Sequence, residues 1–254
     1  MPEPQPCHTN AAGLPKVIHY CWFGRGEKSP LIQRCIGTWR ALMPDWQIRE
    51  WNEDSFDVNS IPYTAEAYAA QKYAFVSDYA RFWILYHLGG VCLCTDVELF
   101  KPLDDILEKT PALMGFEMED TINPGSIMAS PPGSPLIAEI LEGYAALRFT
   151  NPGGSFNTKT IVAYTTEALR RHGFTGGNRL QQVEGFTLYP TEYFCPFEHE
   201  TQMFLPTENT YSYHHFAATW SPWYRRLRFC CIGLAARLLG RERYLALKQK
   251  ILRR

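Results

Sequence analysis

The 254-residue sequence contains no run of apolar residues long enough to cross a bilayer as a helix. Its first stretch, Met1 to Leu14, is polar and contains proline. It lacks the basic start and apolar middle of a secretion leader, so export is not expected. The eight cysteines form no Cys-x-x-Cys pair, and the spacing of a structural zinc motif is therefore missing. Cys92 and Cys94 alternate along an expected strand, and Cys230 and Cys231 are adjacent. Scattered thiols without a leader point to a reduced, cytoplasmic compartment. No internal repeat or low-complexity linker divides the chain. With 20% charged and 46% hydrophobic residues, it reads as one large globular domain with a sizeable core.

Net charge is also nearly absent, at −1, but it is unevenly spread. Residues 221–254 carry ten Arg or Lys against the single acid Glu242, and the remainder of the chain is correspondingly acidic. The tail sets apolar residues at helical spacing: Leu227, Cys230, Cys231, Leu234, Leu238 and Leu239. A basic amphipathic helix suits an anionic membrane surface. The same pattern also suits a helix docked on the body with a solvated basic face. Nucleic acid is not expected as a partner, because no recognition motif accompanies the charge.

What is present in excess is aromatic: Phe, Trp and Tyr make 14% of the residues. Such rings line sugar or nucleotide sites and equally fill cores. Along the chain, periodicity predicts strands over 14–23, 46–51, 91–97, 113–117, 186–190 and 204–205. It predicts helices over 30–42, 65–88 (one or two), 134–147 and 157–172. The helix over 30–42 sets Ile32, Cys35, Ile36 and Trp39 on one face, and Pro135 opens the helix over 134–147. Alternating strands and helices predict an α/β fold with a mostly parallel sheet flanked by helices.

The densest stretch is 77–98, Ser-Asp-Tyr-Ala-Arg-Phe-Trp-Ile-Leu-Tyr-His-Leu-Gly-Gly-Val-Cys-Leu-Cys-Thr-Asp-Val-Glu. Asp78 and Arg81 lie three apart, on one face of an otherwise apolar helix. They can pair with each other, or Arg81 can reach a phosphate or sugar hydroxyl while Asp78 accepts from hydroxyls. After Gly89-Gly90 a buried strand runs to Thr95-Asp96-Val97-Glu98. Asp96 and Glu98 point to one side if that strand continues. Two acids at a strand end offer the hard oxygen ligands that Mg²⁺ or Mn²⁺ prefers, or they begin a solvated turn.

Four ordered motifs, 14–24 (Leu-Pro-Lys-Val-Ile-His-Tyr-Cys-Trp-Phe-Gly), 77–81, 88–98 and 214–220 (His-His-Phe-Ala-Ala-Thr-Trp), carry a resemblance. The chain resembles the DxD-containing sugar-binding glycosyltransferases of family 32. These include bacterial capsule and polysaccharide enzymes, and they are related to fungal mannosyltransferases and clostridial glucosylating toxins. The likeness implies a GT-A-like domain over 14–220, between a flexible N-terminus (1–13) and the basic helical tail (221–254). It implies a retaining transferase that moves a sugar from a UDP- or GDP-sugar to a glycan or lipid-linked acceptor, with Mn²⁺ or Mg²⁺ as cofactor. Such an enzyme would sit in the cytoplasm, against the inner face of the cell membrane where the tail binds lipid.

Roles follow position by position from that resemblance. Trp22 would stack on the base. Asp78 and Arg81 would hold the donor sugar. Asp96 would ligate the metal, with Glu98 beside it and His214 or His215 completing the set, while Thr219 and Trp220 would close over the phosphates. The chain departs from the pattern at Cys94, which stands where the first DxD acid is expected to contact the ribose and assist the metal. A thiol is a soft ligand and a weak hydrogen-bonding group. The alternative implied by that departure is a catalytically weak or inactive sugar-nucleotide binder.

Overall fold

A computed structural model describes residues 8–217 and 223–252. Strand β1 (Val17–Cys21) leads into α1 (Pro30–Leu42), which returns the chain to β2 (Gln47–Trp51). Helix α1 has the bounds its periodicity predicts: Pro30 occupies the first turn and the Ser29 side chain accepts from the Ile32 N–H. Its buried face is Ile32, Cys35, Ile36 and Trp39. Helices α2 (Pro62–Ala69) and α3 (Tyr73–Leu88) follow. Gly89, at φ 65°, ends α3, and Gly90 opens β3 (Gly90–Cys92) at φ 102°. A Cβ on Gly90 would lie 2.7 Å from the Val17 carbonyl oxygen, so only glycine lets β3 approach β1 this closely.

The strand expected over 91–97 does not run through. It stops at Cys92, and a separate strand, β4 (Val97–Leu99), resumes after a turn closed by Val97 N–H donating to Cys94 O at 3.1 Å. Past β4 come α4 (Asp104–Lys109), β5 (Leu113–Met118) and β6 (Thr121–Ser130). Next are α5 (Pro135–Ala145), α6 (Ile161–Arg171), β7 (Gln181–Val183) and β8 (Phe186–Tyr189). Short elements close the body: α7 (Thr191–Phe194), β9 (Phe197–Glu198), β10 (Met203–Phe204) and β11 (Ser212–His214). The tail forms α8 (Trp223–Leu239) and α9 (Arg241–Leu252), separated by Gly240 at φ 79°.

Seven strands make the central sheet, in the order β2-β1-β3-β6-β5-β8-β7. Strands β2, β1, β3, β5 and β8 run one way, and β6 and β7 run the other. The fold is therefore α/β with a mostly parallel sheet. Period-two alternation splits the core: Ile18, Tyr20 and Val91 face α1 and α4, while Cys92, Met114 and Phe116 face α3, α5 and α6. His19 is structural. Its Nε2–H donates to Gly89 O at 3.0 Å and its Nδ1 accepts from Trp51 Nε1 at 3.0 Å. Burial pushes its pKa down to about 3, so it stays neutral.

Strand β6 was not legible in the sequence, because Asn123-Pro124-Gly125 reads as a turn. In the fold, residues 124–127 bulge out of the β5–β6 pairing, which jumps from Met114↔Met128 to Gly115↔Asn123. Within the stretch expected to be flexible, residues 8–13 are held by Asn10. Its Oδ1 accepts from the Ala12 and Leu14 N–H groups and its Nδ2 donates to Leu107 O.

Candidate active site

Local geometry builds the site at the point where β3 gives way to β4. The 94–97 turn brings Cys94 and Asp96 to the same side, and β11 pairs with β4 so that His214 lies beside Val97. His214 Nε2 is 3.1 Å from Asp96 Oδ1, and the Ala217 N–H donates to Asp96 Oδ2 at 2.8 Å. Cys94 Sγ lies within 4.8 Å of the donor atoms of both Asp96 and His214. Behind the imidazole, Ser126 Oγ lies 3.4 Å from Nδ1.

The β6 bulge supplies most of these supports. Its Gly125 carbonyl accepts from the Cys94 N–H at 2.9 Å, and its Pro124 carbonyl accepts from Arg81 Nη1 at 3.3 Å. A proline in a strand interior cannot donate to the ladder, and here the bulge frees its carbonyl for Arg81. Gly125 is required at this point: a Cβ there would lie 2.8 Å from Asn123 Oδ1 and 2.9 Å from Cys94 Sγ.

From α3, Arg81 reaches Cys94 Sγ with Nη2 at 3.3 Å and is only 5% exposed. Its Nε is buried without a partner. Asp78 accepts from the Ile161 N–H at the start of α6, and burial pushes its pKa up to about 6 against the pull of Arg81. Burial alone would raise Asp96, but the charge and hydrogen bond of His214 and the Ala217 N–H hold it well below the usual carboxylate range. Burial opposes the charge of His214, but Asp96 and Cys94 together raise its pKa above the ordinary value. The Cys94 thiol is raised by burial but lowered more by Arg81 and His214, and ends below the ordinary thiol value.

Asp78, Arg81, Cys94, Asp96, Gly125 and His214 line one cavity of about 650 Å³, together with Trp22 and Tyr73. Trp22 donates from Nε1 to Gly26 O at 2.6 Å, which fixes its ring at the end of β1. The cavity volume is in the range typical of small-molecule sites. Cys94, Asp96 and His214 each offer a donor atom within 4.8 Å of the others, so the set fits a divalent ion in number and spacing. Its donors are one sulfur, one nitrogen and one oxygen, rather than the paired carboxylates expected of a DxD motif.

The expected ligands do not all gather. Glu98 and His215 pair with each other at 2.7 Å, beside Cys35 and Arg34, and are not on the cavity wall. The reason is the broken strand: Asp96 belongs to the turn and Glu98 to β4, so Glu98 does not repeat the direction of Asp96. Thr219 and Trp220 lie outside the described residues. Sequence reasoning missed Glu117 and Asn123, which also line the cavity. Burial raises the Glu117 carboxyl above its ordinary value, and Asn123 hydrogen-bonds it. The available signal was an acid ending the apolar run 113–116, the same signal that marked Asp96.

Residues 29–113 match the family described as "Glycosyltransferase sugar-binding region containing DXD motif". The likeness to that region runs from the start of α1 to the first residue of β5. Curated relatives agree. Inositol phosphoceramide mannosyltransferase 3 of Schizosaccharomyces pombe is 25% identical over 146 residues, covering 55% of this chain and 39% of that protein. Inositol phosphoceramide mannosyltransferase 1 of the same yeast is 29% identical over 109 residues, covering 40% and 34%. The chain thus spans between a third and two fifths of the length of these relatives. Among solved structures, the PaToxG glycosyltransferase is similar with a TM-score of 0.45 and 19% identity, over 62% of this chain and 69% of that one. The matched region contains α1, Asp78, Arg81, the 94–97 turn and Glu98; His214 reaches the site from beyond it.

Proposed function

We propose that this chain is a retaining glycosyltransferase that takes a hexose from a nucleotide-diphosphate sugar, UDP- or GDP-linked, and delivers it to a glycan or lipid-linked acceptor. The observation that carries the reading is convergence. A carboxylate–His–Cys cluster, a buried Arg with one unsatisfied nitrogen, and the α3 acid Asp78 that faces the start of α6 all meet in one cavity with Trp22 on its wall. Trp22 stacks on the base. Arg81, on the cavity wall, donates to hydroxyls of the donor sugar, and Asp78 accepts from hydroxyls. Cys94, Asp96 and His214 would hold a divalent ion, which would supply positive charge opposite the leaving diphosphate. Retention is the outcome implied by the family resemblance. The names of the two yeast relatives favour mannose as the first sugar to test and a lipid as the first acceptor.

The tail supports a membrane-facing acceptor. Helices α8 and α9 dock through Arg241 on Glu198 and through the buried Ala236. Leu227, Phe229, Leu234, Leu238 and Leu247 nevertheless remain exposed among basic residues, with Leu238 at 77%. An apolar and basic surface of this kind suits the anionic inner leaflet of the cell membrane. Co-sedimentation with vesicles should require anionic lipid and should fall when Leu234 and Leu238 become Ser. Equal binding to neutral vesicles would refute the electrostatic part of this reading.

A second reading, a sugar-nucleotide binder with little turnover, is favoured by one observation: both oxygens of Asp96 are already engaged, by His214 and by the Ala217 N–H. One experiment separates the two. Purified protein is incubated with UDP- and GDP-hexoses and divalent ions, and both nucleotide release and the anomeric configuration of the product are recorded. Release with a retained anomer supports the transferase. Donor binding without release supports the binder, and no donor binding removes both.

A further inference from the structure

We propose that the Cys94–Asp96–His214 cluster selects a thiophilic divalent ion of the Zn²⁺ and Co²⁺ class, bound through the Cys94 sulfur, in preference to Mg²⁺. The inference deepens the proposed function and rests on it for the place of the ion, while the identity of the ion comes from this chain's own donors.

The argument begins with the donor set. Mg²⁺ demands octahedral oxygen ligands and retains several waters. A sulfur, an imidazole nitrogen and one carboxylate oxygen instead match the ligands of Zn²⁺ and its congeners. The three donors come within 4.8 Å of one another from two short segments, the 94–97 turn and the end of β11. Three protein ligands and a side open to a cavity are the arrangement of a reactive zinc site, in contrast to a closed structural one.

The surroundings of the donors point the same way. Metal-ligating histidines and carboxylates are held from behind by a second hydrogen bond. Ser126 Oγ lies at His214 Nδ1, and the Ala217 N–H holds Asp96 Oδ2. Arg81 Nη2 lies 3.3 Å from Sγ and holds the sulfur in place. A thiol packed merely as a small apolar residue would need none of these contacts.

A competing cluster sharpens the test. Cys35, Glu98 and His215 also bring three donors within 4.8 Å. There, however, Glu98 Oε2 is taken by both His215, at 2.7 Å, and the Arg34 guanidinium, at 3.3 Å. None of these residues lines the cavity, so an ion held there would not meet the donor.

The experiment is anaerobic titration of the metal-stripped full-length protein with Co²⁺, followed by absorption spectroscopy. We expect a sulfur-to-cobalt charge-transfer band together with visible bands of low coordination number. Zn²⁺ should abolish the band by displacement, whereas excess Mg²⁺ should leave it. Cys94→Ser should remove it and weaken Zn²⁺ binding by at least ~10–100-fold, the loss that even outer-shell changes produce. Cys35→Ser should retain it. Cys94→Asp should remove it and shift preference toward Mn²⁺ and Mg²⁺. Circular dichroism of each variant confirms folding, and the unmutated protein alone already gives a decisive first result. Absence of the band in that protein overturns the proposal, as does a band lost in Cys35→Ser but kept in Cys94→Ser. Failure of the functional reading looks different. A Cys94-dependent band without donor binding or transfer leaves this inference standing and removes the transferase, whereas Mg²⁺-supported transfer without the band does the reverse.

Discussion

Asp96 with His214 and Glu98 with His215 are one pairing made twice, two residues apart on the β4 side and side by side at the end of β11. Each has a cysteine within reach, Cys94 in the first and Cys35 in the second. The first pair faces the cavity, takes Ser126 and the Ala217 N–H as supports, and has Arg81 across from its thiol. The second lies off the cavity wall and spends its carboxylate on Arg34. Residue types are therefore not what distinguishes a site from an ion pair off the cavity here. The distinction comes from the β6 bulge, which delivers a carbonyl, a hydroxyl and an absent Cβ to one pair alone.

The largest expected difference between the pairs lies in the histidines. His214→Ala leaves Asp96 buried without its partner, a change that typically costs ~3–5 kcal/mol of stability. It should also eliminate divalent-dependent donor binding. His215→Ala leaves Glu98 its Arg34 partner and should cost less. Denaturant unfolding and calorimetric titration of both variants check the two statements. Similar losses from both substitutions would break the contrast.

Next in size is Arg81. Arg81→Ala should weaken binding of a nucleotide sugar by ~1.5–3 kcal/mol, the usual worth of a charged hydrogen bond, and weaken the bare nucleoside diphosphate much less. Competition binding with the two ligands measures the difference, and Arg81→Lys should recover part of it. Equal losses would mark Arg81 as a structural partner of Cys94 and Pro124.

Gly125→Ala tests the bulge itself. The added methyl would meet Asn123 Oδ1 and Cys94 Sγ at under 3 Å, and overpacking of this kind costs ~1–3 kcal/mol. Thermal unfolding should show the loss, accompanied by weaker donor binding. An alanine tolerated without either effect would mean that the bulge shifts freely and does not hold the site.

The smallest expected effect is on acid stability. Because the folded-state pKa of Asp96 lies below its unfolded value near 3.8, its contribution is present above that pH. It is lost as the pH falls through the lower folded value. Asp96→Asn should therefore flatten the decline in unfolding free energy below about pH 4. An unchanged acid limb would show that the Asp96–His214 pair contributes nothing to folding.

Much of this was legible beforehand, for reasons that particular residues make plain. Ser29-Pro30 and the 32, 35, 36, 39 face define α1 because capping and burial act locally. Asp78, Arg81, Asp96, His214 and Trp22 were expected at one site and share one cavity. The break after Cys92 was hidden, because Leu93 to Val97 continues an apolar strand pattern and the turn is closed by a backbone bond that no side chain announces. Glu98 was misplaced by the same break. Strand β6 was hidden by Pro124 and Gly125, whose turn-like identity serves a bulge. Glu117 and Asn123 are single polar residues brought in by tertiary pairing, and only the strand-end position of Glu117 hinted at a role.

The central claim is that the cavity-facing pair binds the donor and its neighbour does not. Calorimetric titration of Asp96→Asn and Glu98→Gln with nucleotide sugar and divalent ion tests it most directly. The account predicts no divalent-dependent donor binding in Asp96→Asn, and affinity close to that of the unmutated protein in Glu98→Gln, because Glu98 lies off the cavity wall. Retained donor binding in Asp96→Asn, or its loss in Glu98→Gln with the fold intact, would contradict it.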